Sequence, residues 1–116
     1  MAIFKIIDDY VLMTPDEAYS LETYKNAIKE AADFCRQNGL GKILADIQTS
    51  KVSIPVVDKF DLGIEIANIL GSRIQMAILA PTSLIDKLGE NTAVNRGGRV
   101  FVTSSRKKAI AWLKGK

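Results

Sequence analysis

The sequence predicts an α/β domain with a mixed, mostly parallel sheet of about five strands and four helices, in the order β-β-α-β-α-β-α-β-α. Short apolar runs typical of buried strands alternate with longer segments whose apolar residues recur every three or four positions, as in amphipathic helices. Only the first two apolar runs follow each other directly. Strands separated by helices favour parallel pairing, so only the opening pair is expected to be antiparallel.

The opening pair is predicted to be a hairpin, because apolar runs over residues 3–7 and 10–13 flank Asp8 and Asp9. The first helix should follow at once. Thr14 and Pro15 are typical of a helix start, and Glu17 would complete a capping box with Thr14. The helix is expected to end before Gly39, since glycine accepts the left-handed conformation that terminates helices.

The later elements follow from the same signals of periodicity and capping. In chain order we expect a strand over residues 43–47, a helix over residues 54–70 capped by Ser53, a strand over residues 74–80, a shorter helix capped by Ser83, a strand over residues 99–103, and a last helix capped by Thr103 or Ser104.

Length and composition indicate one domain spanning residues 1–116. The chain is 47% hydrophobic and 25% charged, as in ordinary globular proteins. No apolar run approaches the roughly 20 residues of a membrane-spanning helix, and the first residues lack the pattern of a secretory leader. A cytoplasmic location is therefore expected.

Residues suited to conventional catalysis are scarce. The chain has no histidine, which removes the commonest general base and the commonest zinc ligand. Its one cysteine, Cys35, cannot form an intrachain disulfide, and its place in a helical pattern favours packing over reactivity. We therefore expect no enzyme, no cofactor and no metal site.

A family resemblance rests on a strand, the long second helix and the closing segment. The matching positions are Leu44, Ala45, Asp46 and Ile47, then Arg96 and Gly97, Val100 and Phe101, and Ala109, Ile110, Ala111, Trp112 and Leu113. The pattern resembles STAS-like domains, the group of anti-sigma-factor antagonists and sulfate-transporter domains, and especially stand-alone bacterial SpoIIAA-like members of uncharacterised function. The resemblance implies a protein-interaction role that uses the second helix.

The antagonist branch of that family carries a phosphorylatable hydroxyl in an Asp-Ser-Ser/Thr-Gly turn. Alignment on Asp46 places Ile54, Pro55, Val56 and Val57 at that turn, so the motif is absent. Ser53 is the nearest hydroxyl. Its position before a helix is explained by capping alone, which disfavours a phosphorylation switch.

The second helix is apolar over an arc about twice the width that one sheet-facing side needs. At 100° per residue, Val56, Val57, Phe60, Ile64 and Ala67 share one face, and Leu62, Ile66, Ile69 and Leu70 share another. Either neighbouring helices cover the excess or a partner does. We predict a homodimer or a protein partner bound through Leu62, Ile66 and Ile69.

A small anion or metabolite is the alternative ligand. Asp46 with Thr49, Ser50 and Ser53 follows a parallel strand, where open α/β sheets tend to bind ligands.

Charge is divided unevenly along the chain. All 13 acidic residues lie at or before Glu90, whereas residues 91–116 carry seven basic residues and no acidic one. Arg106, Lys107 and Lys108 form a basic patch that could bind an anionic partner or simply be solvated surface. Nucleic acid is disfavoured, since no aromatic pair is placed on a strand for base stacking.

Overall fold

The computed structural model describes residues 2–15, 19–48 and 54–115, and opens with the predicted hairpin. Strands β1 (Ala2–Ile7) and β2 (Tyr10–Pro15) pair antiparallel, with Ile7 opposite Tyr10. Asp8 in the turn has a φ of 51°, a left-handed conformation that aspartate adopts more readily than most residues.

The remaining elements confirm the predicted order and add one short 3₁₀ helix, Thr82–Leu84. They are α1 (Leu21–Gln37), β3 (Lys42–Asp46), α2 (Val56–Leu70), β4 (Gln75–Leu79), α3 (Leu88–Asn95), β5 (Arg99–Thr103) and α4 (Arg106–Leu113). No helix in the described ranges is long and apolar enough to cross a membrane.

The five strands lie side by side in sequence order, β1-β2-β3-β4-β5. Every pair after the hairpin is parallel, as predicted. Parallel neighbours need helical crossovers, and these place α1 against β2 and β3, α3 against β5, and α2 between α1 and α3. Helix α4 packs against β3, β4 and β5.

Two apolar clusters show that the sheet is covered on both faces. Ile43 and Ala45 of β3 belong to a large cluster with α1, α2 and α3, whereas Leu44 between them belongs to a smaller cluster with Ala109 and Leu113 of α4. Successive side chains of a strand point to opposite faces. Helix α4 therefore covers the side of the sheet opposite the other three helices, which explains why the central strands are continuously apolar.

The predicted start of the first helix was wrong. Thr14 and Pro15 lie in β2, Glu17 lies outside the described residues, and α1 begins at Leu21. Ser20 caps it instead, because its hydroxyl accepts from the Thr23 backbone N–H while the Thr23 hydroxyl accepts from the Ser20 N–H. The hydroxyls of Ser20 and Thr23 thus form the two reciprocal hydrogen bonds of a capping box, in which glutamate more often takes the place of Thr23.

The third helix also begins later than predicted. After the 3₁₀ turn, Ile85 is extended and Lys87 has a φ of 68°. The Asp86 carboxylate accepts from the Leu88 backbone N–H at 3.1 Å, so Asp86 rather than Ser83 satisfies the first turn of α3. At the last helix Ser105, not Thr103 or Ser104, is the cap and accepts from the Lys108 backbone N–H.

Burial of Cys35 has a chemical consequence. The residue is 0% exposed on α1, its thiol lies 3.8 Å from the Lys42 carbonyl oxygen, and burial raises its pKa.

Because only the thiolate attacks disulfide reagents, we expect Ellman's reagent at pH 8 to react on the order of a hundredfold more slowly with native than with guanidinium-unfolded protein. Equal rates would contradict the placement of Cys35.

Candidate functional site

Helix α2 turns one apolar face toward the sheet. Leu62, Ile66 and Leu70 are 9%, 5% and 3% exposed, and they share a cluster with Met76 of β4 and Val100 of β5. Such residues hold the helix in place by removing apolar surface from water. This inner face belongs to the core of the chain.

The prediction that Leu62 and Ile66 face a partner was therefore wrong in orientation. Both point inward, and no protein could reach them without displacing α2. Ile69 is half-buried beside α1, where its carbonyl oxygen accepts from the Arg36 guanidinium at 2.7 Å. The chain's own sheet and first helix cover these three positions.

Small residues on α2 are the sequence signal that would have shown its orientation. Gly63 and Ala67 are buried, four residues apart on the same side of α2, which packs closely against α3. A Cβ atom at Gly98, just after α3, would lie 3.5 Å from the Ala67 Cα. Gly98 therefore lies so close to Ala67 that little room is left for a larger side chain at position 67.

The outer face of α2 carries what we call the apolar patch, formed by Val56, Val57 and Phe60. These residues are 65%, 71% and 45% exposed. Large apolar residues scattered singly on a surface are ordinary, but three within five positions of one helix form a continuous feature. The sequence placed them on one face and did not show that this face is the exposed one.

Acidic residues border the patch. When α2 is drawn at 100° per residue, Asp61 and Glu65 lie on the flank next to Val57, and both are partly exposed. Farther round the helix the Asp58 carboxylate accepts from the Tyr19 hydroxyl at 2.6 Å. Burial, together with this carboxylate, raises the pKa of Tyr19. Asp58 is thus tied to the residues that precede α1, and Asp61 and Glu65 remain beside the patch.

Asp46 ends β3 and is bound by the chain itself. One carboxylate oxygen accepts from the Gln48 backbone N–H at 3.1 Å, and the other accepts from the Arg106 guanidinium at 2.6 Å. The structure thus joins two residues that the sequence assigned to separate sites. Thr49, Ser50 and Ser53 lie outside the described residues, so the predicted ligand or phosphorylation loop stays a prediction.

The basic patch lies in the first turn of α4, as predicted. Arg106 is anchored by Asp46, whereas Lys107 and Lys108 are exposed. Cations at a helix N-terminus oppose the helix dipole by about 0.3–1 kcal/mol each, and the Arg106–Asp46 pair offsets part of that cost. Since α4 covers the sheet face opposite α2, the basic patch and the apolar patch are on different sides of the chain.

Metal-ligating groups are dispersed. Within residues 2–15, 19–48 and 54–115, no three histidine, cysteine, aspartate or glutamate side chains come together as a metal site would require.

Solved structures of similar fold cover almost the whole chain. A crystal structure of an anti-sigma factor antagonist from Mycobacterium paratuberculosis superposes with a TM-score of 0.64 at 10% identity, covering 98% of this chain and 93% of that one. The NMR structure of the protein TM1081 gives a TM-score of 0.59 at 20% identity, covering 100% and 90% respectively. No protein-family model and no curated protein matches the sequence.

These likenesses confirm the predicted fold. A mixed five-stranded sheet with four helices, in the order β-β-α-β-α-β-α-β-α, is the STAS-like architecture. Since identity is low in both comparisons, the likeness extends to the fold alone.

The two faces of α2 should respond differently to the same substitution. Ile66→Asp would bury a charge among apolar side chains and lower the free energy of unfolding by about 4 kcal/mol or more. Phe60→Asp changes a surface position and should alter it by less than about 1 kcal/mol. Urea titration followed by circular dichroism measures both values. Equal losses would show that the helix is oriented differently.

An ion pair between α2 and the segment before α3 should make stability depend on pH. Lys59 Nζ lies 2.6 Å from an Asp86 carboxylate oxygen, and this hydrogen bond, followed by that from the Leu88 N–H, lowers the pKa of Asp86. A carboxyl whose pKa is lower in the folded state contributes stability above its unfolded pKa of about 3.9, and that stability is lost as the pH falls through the folded value.

Asp86→Asn should therefore lower the free energy of unfolding at pH 7 by about 0.2–1 kcal/mol, as for other partly exposed pairs. It should also flatten the decline in stability below about pH 4. The pH series of urea titrations should be repeated in a Lys59→Met background, where the same substitution is expected to have a smaller effect. An undiminished effect there would show that Lys59 is not the cause.

Proposed function

We propose that this chain is a non-enzymatic regulatory domain that binds another protein through the outer face of α2. The exposure of Val56, Val57 and Phe60 on one helix face is the observation that carries the proposal. Exposed apolar groups in a cluster are stabilised when a partner removes them from water. One of the solved structures of similar fold is that of an anti-sigma factor antagonist, a name that describes action on another protein.

The borders of the patch indicate the chemistry of the partner. Asp61 and Glu65 give the patch an acidic flank, so the complementary surface is an apolar groove with basic residues along its edge. Charges at the edge of an interface mainly guide the encounter and exclude wrong partners. The three apolar side chains would supply the buried centre, where most binding energy is found.

A second copy of the chain is the competing occupant of this face. In a twofold dimer the same patch would lie on both subunits, and the two acidic flanks would be brought near each other. Contact between the patch of one copy and the basic α4 of the next would pair opposite charges, but such head-to-tail contacts do not close unless they form a ring. A different protein with a basic edge satisfies the patch better than a symmetric dimer.

Site-specific photocrosslinking tests which protein occupies the patch. A benzophenone amino acid is placed at position 60 of the full chain in cells that natively produce the protein, and irradiated. The matched control carries it at position 3, because Ile3 is an equally apolar residue, 59% exposed, on the edge strand β1. We expect a discrete crosslinked complex from position 60 alone, abolished by the added substitution Val57→Asp.

The mass of the crosslinked product distinguishes the occupants. A product at twice the mass of the chain, together with light scattering that shows a Phe60-dependent dimer, would identify self-association instead of a different partner. Equal crosslinking from positions 3 and 60, or products from position 60 that survive Val57→Asp, would overturn the assignment of the binding face.

A further inference from the structure

A cavity of about 110 Å³ lies beneath α2, on the opposite side of that helix from the apolar patch. Its floor is made by side chains of the sheet, including Met13, Ala45 and Val102, and its roof by Leu62, Gly63 and Ile66 of α2. Protein interiors are close-packed, so a space of this size between a helix and its sheet is not ordinary packing.

Small side chains create the cavity. Ala27 of α1, Ala45 of β3, Gly63 of α2 and Ala80 after β4 all line it, and together they come from every side of the space. At each of these positions the side chain is a methyl group or is absent, which leaves room between the helices and the sheet. Since deleting buried methylene groups costs stability in proportion to the volume left empty, an unfilled cavity here lowers the stability of the chain. A ligand that fills it would recover that loss.

The chemistry of the walls selects an apolar group. Apart from four charged residues at one end, the lining consists of aliphatic, methionine, glycine and proline residues with a single tyrosine, Tyr24. A cavity of about 150 Å³ lined in this way binds benzene, which does not fill it completely, so a space of about 110 Å³ still suits about six carbon atoms, as a ring or a short alkyl chain.

The four charged residues form a rim whose charges are already balanced. Lys59 pairs with Asp86 at 2.6 Å, and Lys87 pairs with Glu90 at 3.0 Å. Glu90 also accepts from the Val102 backbone N–H at 2.9 Å, which fixes the second pair to β5. A charged head group would have to displace one member of a pair, whereas a hydroxyl or amide can hydrogen-bond beside them without breaking either.

We propose that this cavity is a binding site for a small uncharged amphiphile, with an alkyl or aryl group of about six carbons inside and a hydroxyl or amide at the rim. The site is separate from the protein-binding face of α2, and its occupancy does not depend on that proposal. It also differs from the loop after β3, since it takes an apolar group instead of an anion.

Nuclear magnetic resonance of the ¹⁵N-labelled chain tests the proposal with three probes that each have six carbon atoms and differ in their head group, which is neutral in 1-hexanol, negative in hexanoate and positive in hexylammonium. We expect saturable amide shifts at Ala45, Gly63 and Val102, with at least threefold tighter binding of hexanol than of either ion. Shifts that stay linear with concentration, or that are confined to the apolar patch, would overturn it. Tighter binding of one ion would overturn the uncharged head group.

Two alanine-to-leucine substitutions provide a test variant and its matched control. Ala45→Leu fills the cavity and should weaken hexanol binding at least tenfold, whereas Ala111→Leu on α4, across the sheet, should leave it unchanged. If Ala45→Leu fails to fold, a measurement on the wild-type chain still tests the location of the bound hexanol. Nuclear Overhauser effects from the hexanol methyl group to the Ala27 and Ala45 methyl groups support the site, and their absence at saturating hexanol contradicts it.

Discussion

Burial of the central strands on both faces is the constraint on which the rest of the structure depends. Ile43 and Leu44 of β3 are each 0% exposed although they point to opposite sides, so two separate layers of helix are required. Parallel pairing of β2 to β5 supplies those layers, since each crossover must carry the chain over one face. Three helices lie on one face and α4 alone on the other.

Helix α2 is the middle one of the three helices that cover one face of the sheet. It lies between α1 and α3, and its inner face shares an apolar cluster with Met76 and Val100 of the sheet. Ala67 allows the close approach of Gly98, which follows α3, whereas Gly63 lines the space below the helix. The outer face is the remaining one, and it is apolar. The proposed protein-binding surface and the proposed ligand cavity are therefore opposite sides of a single helix.

The element order and strand pairing could be predicted because their signals are local. Alternating apolar runs, turn residues and capping residues lie within a few positions of the structure they determine. Capping signals were ambiguous where two sets competed. Thr14 to Glu17 had the form of a capping box, yet Ser20 and Thr23 cap α1 while Pro15 extends β2.

Apart from the small residues of α2, the candidate site left no signal in the sequence, because it depends on contacts between distant residues. Helix α2 has two apolar faces, and hydrophobicity alone does not show which one meets the sheet. The Asp46–Arg106 pair joins residues 60 positions apart, and the cavity is lined by parts of nearly every element. Such features appear only when the packing of α2 against α1 and α3 is known.

The orientation of α2 is the central claim, and cysteine accessibility along the helix measures it most directly. In a Cys35→Ala background, single cysteines at positions 56, 57, 60, 62, 66 and 70 are labelled with a maleimide under native conditions, and the rates are followed by mass spectrometry. The structure predicts fast labelling at 56, 57 and 60 and labelling limited by unfolding at 62, 66 and 70. Fast labelling at 62 and 66 with protection at 57 and 60 would contradict it.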